Sequence, residues 1–219
     1  ASAYAELHCL THFSFQRGAS SPEELVRRAW ALGYTALAIT DECSVAGVVR
    51  AWSALKICAR APESGDEWDA ELVHIRAARL AQGVTEPLRL LYGSEFRFEG
   101  QGTLIAIARD LQSWGDLCSF ITACRRAAPK GEYRLPPLAD ALTELRRCER
   151  LLASDRSTQA QALIAVQKIA DCARQKSAEN DSDSERAPFH LLAELHAQAD
   201  DALWLAQLRA LSAATGCPL

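Results

Sequence analysis

Methionine is missing altogether from the 219 residues. A chain with no initiator, ending at Gly216-Cys217-Pro218-Leu219 with an apolar residue that reads as the opening of a further strand, is expected to be incomplete. Also missing is any apolar run approaching the ~20 residues that a membrane-spanning helix requires, so no membrane partner is expected. The first residues, ASAYAELH, have neither the basic start nor the apolar middle of a secretion signal, which makes the cytoplasm the expected compartment. No Cys-x-x-Cys pair occurs. Eight cysteines are present, at positions 9, 43, 58, 118, 124, 148, 172 and 217, scattered through an Ala/Leu-rich chain. Such a pattern reads as small buried hydrophobes rather than as a disulfide framework, one or two lying near a metal site being the competing reading. Basic stripes are scarce as well: the net charge is −4, and clusters are confined to Arg125–Arg126 and Arg146–Arg147. A surface that grips nucleic acid displaces counterions with Lys and Arg, so this chain is not expected to be the main DNA-gripping part of any enzyme.

What is present is an alternation of apolar strands and amphipathic helices. A strand is expected over 4–10, followed by a loop to Ala19. Ser21-Pro22-Glu23-Glu24 then supplies an N-cap serine, a proline at the first helical position and a glutamate placed for a capping box, predicting a helix over 22–32 that Gly33 ends. Residues 34–40 are apolar on both faces, the mark of a strand buried in a parallel sheet. Ser44 is expected to cap a second helix over 44–58, with Val45, Val48, Val49, Trp52 and Leu55 along its buried stripe. Further on, helices are predicted over 71–82, 111–124, 138–147, 157–174 and 199–214. Strands are predicted over 88–92, 104–108, 151–153 and 189–195, and after Gly93 the run Glu95-Phe96-Arg97-Phe98 alternates, with Glu95 and Arg97 on the face opposite the two phenylalanines. Residues 127–137 form a loop rich in Lys, Gly and Pro, and the polar run 175–187 is expected to be mobile. Strand–helix alternation predicts an α/β domain with helices covering a parallel sheet, one domain over 1–219, with no internal repeat.

Candidate chemistry gathers at strand ends, where α/β proteins place their ligands. His8 lies near the end of the first strand, and Asp41 and Glu42 end the second. Glu95 follows the third, and Glu194 and His196 close a late one. Carboxylates and imidazoles from several strand ends are what a divalent metal site requires, and a metal there lowers the pKa of a bound water for phosphoester hydrolysis. The competing reading is that these acids are structural, Asp41 accepting backbone N–H groups at the start of the following helix. His12, His74 and His190 read as structural or surface residues.

Three motifs carry a resemblance. The run AELHCLTHFSFQRGASSPEEL from Ala5, the run LAITDECSVAGVVR from Leu37, and Gly93-Ser94-Glu95-Phe96 together resemble the N-terminal PHP (polymerase and histidinol phosphatase) domain of bacterial C-family DNA polymerases. The loop APKGEYRL from Ala128, after a helix containing Leu117-Cys118, is similar to the error-prone, damage-tolerant branch. The resemblance implies a distorted PHP-type (β/α) barrel, incomplete at its C-terminus. It implies a parent DNA-directed DNA polymerase that serves in DNA replication and repair by extending primers past lesions, with magnesium held in a palm region outside this chain.

It also implies a set of metal positions, and the match to them is uneven. His8 falls on the first histidine of a His-x-His strand end, but the second falls on Leu10. An acid expected before Gly18 is Arg17, a fixed cation. The Asp-His pair ending the second strand is Asp41-Glu42. Glu95 is retained, while a later histidine falls on or near Thr103. The resemblance therefore implies a degenerate site at His8, Asp41, Glu42 and Glu95, with no certain cofactor and room for at most one zinc, manganese or magnesium ion. On this reading the domain is no nuclease and no catalytic residue is assigned. Its partners are the rest of the polymerase chain, DNA through that parent, and other lesion-bypass proteins. The alternatives are a free-standing metal-dependent PHP phosphoesterase and a pure interaction module.

Overall fold

The computed structural model describes residues 4–59, 67–81, 83, 87–154, 166–171, 189–194 and 200–219. The chain divides into two compact units, Ala1–Ser94 and Glu95–Leu219. Six strands are hydrogen-bonded in chain order, each to the next.

The first unit is built on β1 (Ala5–Cys9), β2 (Ala36–Ile39) and the first half of β3 (Arg89–Phe98). Both pairings are parallel, with Ala5 opposite Ala36 and Ala36 opposite Arg89. The β1–β2 register shifts between Glu6 and Cys9. Every residue of β2 is buried, which is why Ala-Leu-Ala-Ile reads as a continuous apolar run rather than an alternation. Between these strands lie α1 (Pro22–Ala31), α2 (Val48–Ala59) and α3 (Glu67–Ala81). The capping box at the start of α1 forms as the sequence predicts: the Ser21 hydroxyl accepts from Glu24 N–H and the Glu24 carboxylate accepts from Ser21 N–H. Gly33 follows with φ of 75°, a conformation that a residue with a Cβ resists. Helix α1 packs against α2 and touches α3, burying Val26, Ala29 and Trp30.

Two expectations for this unit are corrected. Helix α2 begins at Val48, not at Ser44; the Ser44 hydroxyl accepts from Ala46 N–H in a turn ahead of the helix. Its buried stripe is Val48, Ala51, Ala54 and Cys58, while Val49 is 69% and Trp52 44% exposed. The phase is set by small residues that let α1 approach closely, so the bulky side chains point away. The Lys56 ammonium lies 3.4 Å from the centre of the Trp52 ring, covering part of that outward surface.

The second unit holds the rest of β3, β4 (Gly102–Ile107), β5 (Glu149–Ala153) and β6 (His190–Leu192). Its helices are α4 (Leu111–Arg126), α5 (Leu138–Glu144) and α6 (Asp201–Thr215). The strand expected over 88–92 runs on through buried Gly93 and Ser94 and the alternating Glu95-Phe96-Arg97-Phe98 as one strand. Strands β4 and β5 run antiparallel and β5 and β6 parallel, so the sheet is mixed rather than parallel throughout. Asp110 caps α4 by accepting from Ser113 N–H at 2.8 Å, and Gly216 ends α6 with φ of 67°. Phe96 and Phe120 meet edge to face with centroids 4.9 Å apart, and Leu104, Leu117 and Leu152 are fully buried in the same unit.

Residues 166–171 are helical within the predicted 157–174 element. The predicted mobile run 175–187 and His196 lie outside the described residues. All seven described cysteines are free, and five of them are buried. Among the described residues no helix is long and apolar enough to cross a membrane.

Candidate functional site

Asp41 stands at the end of β2 as a carboxylate with no exposed surface. Burying a charged group without partners is costly, so the donors that surround it define the site. Its Oδ1 accepts from Thr11 N–H at 2.8 Å and from the Ser14 hydroxyl at 2.7 Å. The Thr11 hydroxyl lies 3.0 Å from Oδ1 and 2.9 Å from Oδ2, a third donor shared between the two oxygens. Thr11 and Ser14 are themselves buried, with Ser14 N–H donating to Thr11 C=O to close a turn directly after β1. The same Ser14 oxygen accepts from Glu42 N–H at 3.0 Å, so one hydroxyl joins the β1 loop to both acids of the Asp-Glu pair.

The backbone around Asp41 is fixed by a second serine. Ser94 donates to Asp41 C=O at 2.7 Å and accepts from Ser44 N–H at 3.0 Å, which pins the turn through Glu42 and Cys43 against β3. Cys43 adopts φ of 43°, an uncommon conformation for a residue with a side chain, inside this clamped turn. Two glycines are required by close approach. A Cβ on Gly47 would stand 2.7 Å from Asp41 Oδ2, and one on Gly18 would stand 1.8 Å from Thr11 C=O oxygen.

Glu42 and Arg17, two of the departures flagged in the sequence, meet each other. Arg17 Nη1 donates to Glu42 Oε2 at 3.0 Å, both side chains being partly exposed. His8 lies on β1, half-buried, its backbone N–H donating to Glu6. Cys9, the next residue, has its thiol pushed up to about 12 by burial, with Glu6 and Asp41 adding to the effect. It stays a protonated thiol at neutral pH. Glu95 is fully buried on β3 as the first residue of the second unit. Glu194 lies just after β6, half-buried. Among the described residues no group of three or more His, Cys, Asp or Glu side chains is placed to hold a metal ion.

The expectation that Asp41 caps the following helix is corrected: its oxygens face the β1 loop, and α2 begins seven residues later. Residues that sequence reasoning passed over are Thr11, Ser14 and Ser94. The legible signal was Thr-x-x-Ser straight after an apolar strand, a spacing that turns two hydroxyls toward one point.

Comparison with known proteins agrees with this architecture. A profile of the family described as PHP domain matches residues 6–181. The chain belongs to the PHP domain family. It is 38% identical over 231 aligned residues to an error-prone DNA polymerase of Azoarcus sp. (strain BH72), covering 98% of this chain and 19% of that one. An error-prone DNA polymerase of Aromatoleum aromaticum is 42% identical over 98% of this chain and 17% of its own length. That of Pseudomonas aeruginosa is 49% identical over 61% of this chain and 10% of its own. The PHP chain thus spans a fifth or less of these relatives. Among solved structures, a Bifidobacterium adolescentis protein named for metal-dependent phosphoesterase activity superposes with a TM-score of 0.52 at 15% identity. That match covers 99% of this chain and 85% of the other. It establishes the fold, a mixed α/β PHP-type barrel.

Proposed function

We propose that this PHP chain is the N-terminal module of a longer error-prone DNA-directed DNA polymerase. That parent acts in the cytoplasm in DNA damage tolerance, extending primers past lesions, and the module serves it as a structural brace rather than as a nuclease. Identity of 38–49% to polymerases of that name supports the parent. The observation that carries the structural role is the state of Asp41. Fully buried, it accepts from Thr11 N–H, the Thr11 hydroxyl and the Ser14 hydroxyl, a set of donors that satisfies a buried carboxylate without a cation. Glu42 is neutralised by Arg17, and a fixed guanidinium in the wall opposes a divalent cation. Leu10 offers no donor atom.

This donor set does not suit a multinuclear cluster, and no hydrolytic step is assigned to it. Within the first unit His8, Asp41 and Glu42 are the remnants of the site, with one weakly held zinc, manganese or magnesium ion as the most they support. Metal analysis of the purified protein, with nuclease and phosphatase assays in manganese or zinc, tests the brace reading. Substoichiometric metal and no turnover are expected, and robust turnover abolished by chelation overturns it. Primer extension past an abasic site by the longer protein tests the parent assignment.

A further inference from the structure

We propose that helix α3 is a detachable strap, clamped across the last turns of α1 and α2 by Arg76 and Arg79 and able to lift while the rest of the first unit stays folded. The two clamps are three residues apart, on one face of the helix. The Arg79 guanidinium donates to Trp30 C=O in the last turn of α1. Arg76 Nη2 donates to Cys58 C=O in the last turn of α2 at 2.9 Å. The last carbonyls of a helix lack a donor four residues on and carry its negative pole, so each clamp meets a group that favours a cationic donor. Both guanidiniums also sit over the Trp30 ring, that of Arg79 at 4.9 Å and that of Arg76 at 5.9 Å from its centre.

What distinguishes α3 from a packed core helix is what it buries. Among its described side chains, residues 73–81, Arg79 is the one that is buried. Val73 is exposed, and so is Leu80, at 69%. By contrast α1 buries Val26, Ala29 and Trp30, and α2 buries Val48, Ala51, Ala54 and Cys58. Elements with little buried apolar surface open locally at a lower cost than the core. A guanidinium released from a carbonyl regains water, so each clamp adds only the net worth of one charge-assisted hydrogen bond. Beneath the clamps lie two buried groups that opening uncovers, the Trp30 ring and the Cys58 thiol. Burial pushes that thiol above its ordinary range, while the Arg27, Arg76 and Arg79 guanidiniums pull it back, which places both clamps near the sulfur.

The test is labelling of the folded protein with DTNB over a series of sub-denaturing urea concentrations, each modified cysteine being identified by mass spectrometry. Cys58 reports the strap, and Cys43, fully buried in the same unit, reports unfolding of that unit. When reclosing outpaces the reagent, the labelling rate follows the open population. Cys58 is expected to react faster than Cys43 and with a shallower dependence on urea, because lifting one helix exposes less surface than unfolding does. Arg79→Gln and Arg76→Gln each remove a charged donor and raise the Cys58 rate by about 10- to 100-fold, leaving the Cys43 rate unchanged. Arg28→Gln, on the exposed face of α1, changes neither rate. A Cys58 rate no faster than that of Cys43, or an equally steep urea dependence, overturns the proposal from the wild type alone, whether or not a variant folds. So does a clamp variant whose Cys58 rate is unchanged, or whose Cys43 rate rises in step with it.

Discussion

Replacing Asp41 separates a structural acceptor from a metal ligand. Three donors converge on its carboxylate, Thr11 N–H, Thr11 O–H and Ser14 O–H, and both donor residues are buried. Hydrogen bonds to a charged group contribute about 1.5–3 kcal/mol each, so the sum is an upper bound on what Asp41→Ala removes. Water entering the space left by the carboxylate re-satisfies part of the set, which brings the expected loss to about 3–5 kcal/mol. For a chain of this length that corresponds to a fall in Tm of roughly 6–20 °C. Asp41→Asn keeps an oxygen at the Oδ1 position for Thr11 N–H and Ser14, and its amide donates to the rotatable Thr11 hydroxyl. Its loss is about 1–2 kcal/mol. The assay is equilibrium urea unfolding read by tryptophan fluorescence, with Trp30 buried in the same unit as the reporter. A ligand that repels its neighbours without an ion gives the opposite pattern. Asp41→Ala then leaves the chelated protein as stable as the wild type or more so, and zinc or manganese raises the Tm of the wild type only. That result refutes the acceptor reading.

Gly47→Ala drives a methyl group to 2.7 Å from Asp41 Oδ2 and 3.1 Å from Thr11 Cγ2, and is expected to cost about 1–3 kcal/mol in the same unfolding assay. Gly18→Ala meets main chain rather than side chain, at 1.8 Å, and is expected to abolish soluble folded expression. Glu42→Gln breaks only a partly exposed ion pair, so stability falls by no more than about 1 kcal/mol, measured as a shift in urea midpoint at constant slope. Stability also declines at alkaline pH. Burial first of all, then nearby carboxylates, pushes the thiols of Cys9 and Cys148 up to about 12, while an unfolded thiol titrates near 9.0. The unfolded chain therefore loses these protons first, and the stability that is complete below pH 9 drains away as the pH rises toward 12. Cys9→Ala and Cys148→Ala each flatten that decline in a pH series of urea curves.

Much of the fold was legible because local signals and tertiary needs agree. Ser21-Pro22-Glu23-Glu24 specifies a helix start by chemistry confined to four residues, and the structure forms both halves of the capping box. The apolar run ending in Ala36–Ile39 admits no exposed face, so its place inside a parallel sheet follows. Where the reading slipped, the deciding contact was distant in sequence. Helix α2 was given the wrong stripe because Val49 and Trp52 outweigh Ala51 and Ala54 on any hydrophobic scale. The approach of α1 selects the small side chains instead. Its start was misplaced because Ser44 N–H is taken by Ser94, fifty residues away, a partner that no local motif announces. The antiparallel β4–β5 pairing was missed for a similar reason: alternation of strands with helices implies parallel crossovers, and nothing within 102–107 or 149–153 marks the reversal.

The candidate site follows the same division. Residue types at strand ends pointed to Asp41 and Glu42 as unusual positions, and the lack of a donor at Leu10 was plain. What the sequence left open was whether Asp41 faced an ion or a helix start; its oxygens face the β1 loop. A buried carboxylate needs positive charge or several donors, and a loop of Thr11, Ser14 and a free main-chain N–H supplies donors without any cation. Arg17 meanwhile turns to Glu42, the acid standing where the family resemblance implies an imidazole. The two side chains answer each other in a partly exposed ion pair, a coupling of no more than about 1 kcal/mol. Coupled replacement of this kind predicts that Arg17→Ala and Glu42→Gln are non-additive. Their double variant is expected to lose less stability in urea unfolding than the two single losses combined, and strict additivity refutes the coupling.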